Sequence, residues 1–232
     1  MIPKTIHYCW FGRGKKSKLM QKCIASWKKY CPDYEIIEWN ENNFDIHMNG
    51  YTRMCYEQKK YAFLSDYVRL YVVEKYGGLY FDTDVELIKS PEPLLNFPAF
   101  FGFEDRMHVN TGIGFGAEPG NRVVHMMLAE YDGLLQGEKD VIGCPLLNTS
   151  ALRKLGLYPN GEKQDFGDAV VYPVDYFNPY DDPTGQLRKT KNTVSIHWYS
   201  KSWMSWKVVL RSKLTRPLHR IFGVDAFERF RK

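Results

Sequence analysis

At 232 residues, with 44% hydrophobic and 16% aromatic residues against 25% charged ones, the chain suits one large packed domain with or without an appendage, and a disordered or fibrous protein is excluded. The formal charge of +5 is uneven: residues 201–232 hold nine Lys/Arg against two acids, while the rest holds 23 against 25, so a nucleic-acid face on the main body is excluded too. Five cysteines, an odd number without a CxxC pair, predict free thiols in a reducing compartment, and with no leader-like N-terminus and no run of 18 apolar residues the expectation is a cytoplasmic protein.

Along the chain, "PKTIHYCWFG" reads as a first strand ending in a glycine-containing loop. "SKLMQKCIASWKKY" follows as a helix with Ser17 as its cap and Met20, Cys23, Ile24 and Trp27 on one stripe. "YEIIEW" is a short strand, and residues 53–76 read as one helix that stops at Gly77-Gly78. "LYFDTDVELI" is a strand interrupted by acids, and "AFFGFE" and "TGIGFGAEP" are two more. Helices are expected from Asn121 to about Leu135 and over about 145–155. "DAVVYPVDYF" and "TVSIHWY" close the strand set, and 204–215 is a terminal helix that Pro217 should break. Strands alternating with helices predict an α/β fold with a largely parallel sheet, whose ligands bind at the carboxyl ends of strands. Residues 1–203 form the domain in this reading, and 204–232 a basic amphipathic extension.

The chemistry concentrates in "GGLYFDTDVEL". As residues i and i+2 of a strand, Asp82 and Asp84 would share one face, where two ionised carboxylates repel. A divalent cation resolves the conflict, and hard oxygen ligands favour Mg²⁺ or Mn²⁺. A solvated turn with incidental acids is the plainer alternative. In the preceding helix, Phe63, Tyr67, Leu70 and Tyr71 make an apolar stripe, while Ser65, Asp66 and Arg69 cluster elsewhere on its surface. Asp66 and Arg69 are either an exposed ion pair, contributing only ~0–1 kcal/mol, or an acceptor and a donor fork facing the same pocket as the acidic pair. "GRGKKS" lacks the upstream glycine of a phosphate loop. Gly112, Gly114 and Ala117 fit a dinucleotide fingerprint only on paper, since Pro119 interrupts where its helix should begin.

Three segments, "IPKTIHYCWFG", "YAFLSDYVRLYVVEKYGGLYFDTDVEL" and "IHWYSKSW", occur in the order that resembles glycosyltransferases with the DXD sugar-binding motif. That group includes initiating mannosyltransferases and bacterial capsular polysaccharide transferases, and the catalytic domains of clostridial glucosylating toxins are similar in the same segments. The resemblance implies a GT-A fold, a nucleotide-sugar donor, a UDP-hexose over GDP-mannose, a divalent metal that is usually Mn²⁺, and retention of configuration. By position it implies that Asp84 ligates the metal while Asp82 contacts the ribose and assists. Asp66 and Arg69 would hold donor-sugar hydroxyls, Trp10 would stack on the base, His197 would be a late metal ligand, and Ser202 with Trp203 would touch the leaving diphosphate. By looser resemblance Asn110, near Glu104 and Asp105 in "FEDRMHVNTG", would stabilise the sugar cation or orient the acceptor.

Two other readings stay open on the sequence. "FDTDV" also fits a Mg²⁺-dependent phosphatase with Asp82 as nucleophile and Asp181-Asp182 as its second acidic pair, and aromatics with acids also make non-enzymatic sugar-binding modules. The basic tail suits an anionic membrane surface, or else a helix packed on the domain, and a membrane contact would serve a lipid-linked saccharide acceptor.

Overall fold

A computed structural model describes residues 1–202 and 204–223. The chain begins with strand β1 (Thr5–Cys9), helix α1 (Lys18–Tyr30) and strand β2 (Glu35–Trp39), then helices α2 (Gly50–Glu57) and α3 (Tyr61–Tyr76). Strands β3 (Gly78–Tyr80), β4 (Val85–Leu87), β5 (Ala99–Gly102) and β6 (Phe115–Ala117) follow, then helices α4 (Arg122–Ala129) and α5 (Cys144–Lys154). The last part runs through β7 (Gln164–Asp165), β8 (Val170–Tyr172), the single turn α6 (Val174–Phe177), β9 (Tyr180–Asp181), β10 (Gln186–Leu187), β11 (Ser195–His197) and α7 (Trp206–Phe222).

Seven strands form one sheet in the order β2-β1-β3-β6-β5-β8-β7. β1 pairs in parallel with β2 and β3, and β5 with β8, so five strands point one way, while β6 and β7 run against them. The strand pleat sorts side chains onto two faces. Ile6, Tyr8, Leu79, Phe100 and Val170 enter a core closed by Trp27 of α1. Tyr80, Phe101, Phe115 and Val171 enter the other, closed by α3, α4 and α5. This is an α/β fold with helices on both faces of a sheet whose strands mostly share one direction, as the alternation of elements predicts.

Local chemistry sets the ends of these elements. Ser17 Oγ accepts the Met20 N–H at 3.3 Å and caps α1. Trp27 Nε1 donates to the Val85 carbonyl at 2.8 Å, pinning α1 to β4. At the end of α3, Gly77 takes φ 67° and donates to the Val73 carbonyl at 2.8 Å. Gly78 follows at φ 103°, where a Cβ would stand 2.7 Å from the Thr5 carbonyl of the neighbouring strand. Only glycine lets β3 start there, tight against β1.

Several elements differ from the sequence reading. Residues 53–76 are not one helix: α2 ends at Glu57 with Gln58 as its cap, and Lys59 turns at φ 57° so that the Lys60 N–H closes back on the Cys55 carbonyl at 2.7 Å. The helix expected to Leu135 stops at Ala129 and continues only as a 3₁₀ turn over Asp132–Leu134. "PVDYF" is the turn α6 and not a strand, because Pro173 removes a ladder donor and suits the entry to a helix. Pro217 does not break α7, which runs through it. No residue of that helix is buried, so no packed neighbour meets the ring, and water can take the freed carbonyl. The proposed boundary near residue 203 falls just before α7.

Replacing Gly78 by alanine tests the strand entry. Backbone strain and the clash with Thr5 are expected to cost at least about 2 kcal/mol, read as a fall of ~5 °C or more in melting temperature. An unchanged melting temperature would show that β3 can start without a glycine.

Candidate functional site

The site lies where β1 and β3 end side by side. His7 is in register with Tyr80, which brings Cys9 opposite Asp82 and Trp10 to the same sheet edge. The two aspartates are not paired by a strand pleat as the sequence reading had it. They occupy the turn between β3 and β4, where the Val85 N–H donates to the Asp82 carbonyl at 3.0 Å and the Asp82 N–H reaches the Gly112 carbonyl at 3.1 Å. The turn brings both carboxylates to one place without a continuous strand.

Asp82 accepts from Arg69 Nη2 at 2.9 Å and from the Tyr80 hydroxyl at 2.9 Å. The same Nη2 lies 2.9 Å from Asp66 Oδ1, one turn back on α3. The guanidinium, 3% exposed, stacks 4.9 Å over the Tyr80 ring. The sequence alternative of an exposed ion pair is therefore overturned: Asp66 and Arg69 are buried and face the acidic pair. One cation serves two carboxylates here. Burial and the excess negative charge push Asp66 up to about 6, against the pull of Arg69. Asp82 moves up for the same reason, burial first, with Asp84 adding to it.

Asp84 has the opposite environment. His197 pairs with Val85 across β4 and β11, an antiparallel ladder that closes the 113 residues between Asp84 and His197. Its Nε2 stands 3.3 Å from Asp84 Oδ1, and the Ser200 N–H donates to Oδ2 at 2.7 Å. Burial alone would raise the Asp84 carboxyl, but His197 and Ser200 hold it well below the usual carboxylate range. His197 moves up in turn, because the two carboxylates outweigh the burial that would lower it. Tyr199 and Lys201, on either side of Ser200, take φ 48° and 52°, so the loop is bent sharply to deliver that N–H.

One ligand atom from each of Asp82, Asp84 and His197 lies within 4.8 Å of the others, a spacing that one ion can draw together. Two carboxylates with an imidazole suit a divalent cation. Among the described residues His197 Nδ1 is buried without a hydrogen-bond partner, so the ring is placed by its tilted contact with Tyr199, 4.0 Å between centroids, and by Asp84.

Asn110 joins the site from the other side. Its Oδ1 accepts the Gly112 N–H at 2.6 Å and its Nδ2 donates to Glu104 Oε1 at 3.1 Å. Glu104 also accepts from the Tyr199 hydroxyl at 3.2 Å, linking this loop to that of Ser200. Asp105 is turned away, exposed and tied to His108. Trp10 donates its indole N–H to the Gly14 carbonyl at 2.7 Å and lies under Lys16, leaving one ring at the edge of the sheet. Ser202 is exposed, Trp203 lies outside the described residues, and the residue from that segment that touches Asp84 is Ser200. Asp181 and Asp182, the second acidic pair a phosphatase would need, are engaged elsewhere: Asp182 pairs with Lys201 and Arg216, and Asp181 holds Thr184.

The sequence reading missed Tyr80, Ser200, Cys144 and Gly112. Cys144 opens α5 with its thiol 3.6 Å from Arg69 Nη1 and 3.3 Å from Asn110 Oδ1. A Cβ on Gly112 would come 2.4 Å from Asp82 Oδ2 and 2.8 Å from Arg69 Nη1. "TGIG" carried the signal, since a glycine facing an acid cluster marks close approach, but only the fold shows which cluster.

Buried carboxylates, an arginine fork and a metal-type triad thus meet at one edge of the sheet, and comparison with known proteins bears on that arrangement. Residues 17–101 match the family described as the glycosyltransferase sugar-binding region containing the DXD motif, in line with the resemblance read from the sequence. It is similar to inositol phosphoceramide mannosyltransferase 3 of Schizosaccharomyces pombe, 31% identical over 107 residues, covering 43% of this chain and 29% of that protein. It is likewise similar to the mannosyl phosphorylinositol ceramide synthase SUR1 of Saccharomyces cerevisiae, 31% identical over 109 residues, covering 43% and 27%. The chain thus spans less than a third of the length of these curated relatives. The PaToxG glycosyltransferase superposes with a TM-score of 0.52 at 20% identity, over 66% of this chain and 69% of that one, and shares the GT-A-type fold.

Two variants test the electrostatics. Asp66 keeps its proton longer when folded than unfolded, so it lowers stability as pH rises from about 4 to 6. Asp66→Asn is expected to gain about 2–3 kcal/mol relative to the parent between pH 4 and 7, measured by urea unfolding at both pH values. Gly112→Ala is expected to fold, yet to weaken Mn²⁺ binding by about tenfold or more in calorimetric titration, by displacing Asp82.

Proposed function

We propose that the protein is a metal-dependent, retaining hexosyltransferase that takes its sugar from a nucleotide-sugar, UDP-linked by preference. The acceptor in this reading is a glycan or lipid-linked saccharide, as in surface polysaccharide synthesis. The convergence of Asp82, Asp84 and His197 beside the buried Asp66–Arg69 pair carries the proposal. The mannosyltransferase relatives support transfer of a hexose. Five buried, unbridged cysteines support the cytoplasmic side as its compartment. The basic tail is read as a peripheral membrane contact.

Asp84, Asp82 and His197 would hold Mn²⁺ or Mg²⁺, which when bound stabilises the charge that grows on the leaving diphosphate. Every other role belongs to the chain. Arg69, fixed by two carboxylates and Tyr80, offers donors to sugar hydroxyls, and Asp66 accepts from one. Trp10 lies at the sheet edge where a base can stack. Asn110, locked by Glu104 and Gly112, presents a fixed dipole to a developing sugar cation or to the acceptor. Ser202 and Trp203, just beyond the Ser200 bend, are assigned to the diphosphate. Retention agrees with a departing phosphate oxygen taking the acceptor proton.

Incubation with a panel of UDP- and GDP-sugars and Mn²⁺ tests this. Slow donor hydrolysis is expected, abolished by chelation and reduced about a hundredfold or more in Asp84→Ala. Metal-dependent cleavage of simple phosphate esters without a nucleotide-sugar response would turn the reading to a phosphatase.

A further inference from the structure

Helix α7 is mounted inside out. Its polar side meets the protein: Ser212 Oγ accepts from Lys201 Nζ at 3.1 Å, and Arg216 pairs with Asp182 at 3.0 Å. One turn on, Arg220 Nε donates to the Thr184 carbonyl at 2.6 Å. These contacts, with half-buried Val209, follow the three-and-four spacing of one helix face, set against the β9–β10 hairpin. The opposite face carries Trp206, Leu210, Leu214, Leu218 and Ile221, again at spacings of three and four, and all stand in solvent. Trp206 is 70% exposed, Leu214 68% and Ile221 73%. Among the described residues, half of the exposed large apolar side chains lie on this one helix.

An amphipathic helix packed for stability would bury that stripe, gaining about 1.5–3 kcal/mol per large side chain. Among the described residues nothing covers it, so the described domain is not its partner. The charge pattern identifies the partner. α7 has no acidic residue, and Lys207, Arg211 and Lys213 form no ion pair among the described residues. On a helical wheel Arg211 borders one side of the stripe and Lys213 the other, while Lys207 falls within it, between Leu214 and Leu218. A second copy of the chain would set cations against cations. An anionic bilayer takes both features, the stripe entering the acyl boundary and the lysines and arginine meeting phosphates. Among the described residues no helix is long and apolar enough to cross a membrane.

We propose that α7 lies flat on an anionic lipid surface through its Trp206–Ile221 stripe, anchored by Lys207, Arg211 and Lys213, and is the device that holds the site to the membrane. It spans about 25 Å, the length of a full interfacial helix. It is joined to the site directly, because the loop that sends the Ser200 N–H to Asp84 also sends Lys201 to Ser212. Membrane docking therefore fixes the orientation of the metal triad relative to the lipid surface. This deepens the proposed function where the acceptor is lipid-linked, while the docking itself stands apart from the chemistry.

The test is co-sedimentation of the full chain with vesicles of phosphatidylcholine alone, or with about a third phosphatidylglycerol. Binding to the anionic vesicles only, weakened by salt, is the expected result. Leu210→Glu with Leu214→Glu should cut the bound fraction about tenfold or more. Lys207, Arg211 and Lys213, each replaced by Gln, should lower the partition coefficient about fivefold apiece. Metal-dependent donor hydrolysis in solution should be unchanged in all four variants. Absence of binding by the parent chain, or equal binding by the Glu variant, overturns the proposal. So does a dimer in sedimentation velocity that Leu210→Glu with Leu214→Glu dissociates without any vesicle binding. Vesicle binding without nucleotide-sugar hydrolysis would leave this inference standing and remove the proposed function instead.

Discussion

A single guanidinium shared by two buried carboxylates organises this protein. Arg69 is tied to Asp66 on its own helix and to Asp82 beyond the next strand, so one side chain joins α3 to the end of β3. Such a pair is a weak source of stability, because removing three charges from water costs several kcal/mol for each ion. Its value lies in position. The guanidinium is already desolvated and aimed, and the surplus negative charge beside it is the condition under which a divalent cation binds without further reorganisation. The Tyr80 ring beneath it and the glycine at 112 beside it follow from the need to fit that group at the edge of a packed sheet.

Asp84 and His197 are the complementary half. Asp82 is pushed toward the neutral form by burial and by Asp84, whereas Asp84 is kept ionised by an imidazole and a backbone N–H. Two carboxylates one residue apart are thus given opposite tendencies, which lets both sit in one buried turn. That asymmetry also separates the two: Asp84 is held in its charged form, and Asp82 is steered by Arg69.

Much of this was legible in the chain. The Ser17 cap, the stop at Gly77, the acids after an apolar strand and the order of strands and helices all rest on local rules, and those rules held. Lys59 shows where they stop: a left-handed lysine has no signature in residue type, so α2 and α3 read as one helix. The sequence left Asp66 and Arg69 open between a surface pair and a pocket-facing fork because α3 looked amphipathic, whereas the helix is buried on most sides. The meeting of His197 with Asp84 depends on the ladder between β4 and β11, a pairing across more than a hundred residues that no local pattern encodes. Resemblance supplied His197 and Ser202 by position, yet the atom that reaches Asp84 belongs to Ser200, since a backbone N–H leaves no mark in the sequence.

The ladder between β4 and β11 also has a temporal side. The large sheet is complete once β8 has emerged during synthesis, at Tyr172, and beyond α6 its two cores draw on Val194 among the buried residues. The third member of the triad arrives with β11, some twenty-five residues later. A nascent chain can therefore settle its main sheet while its acidic turn still lacks the histidine. Until β11 pairs, Asp82 and Asp84 face each other with only Arg69 as counter-charge.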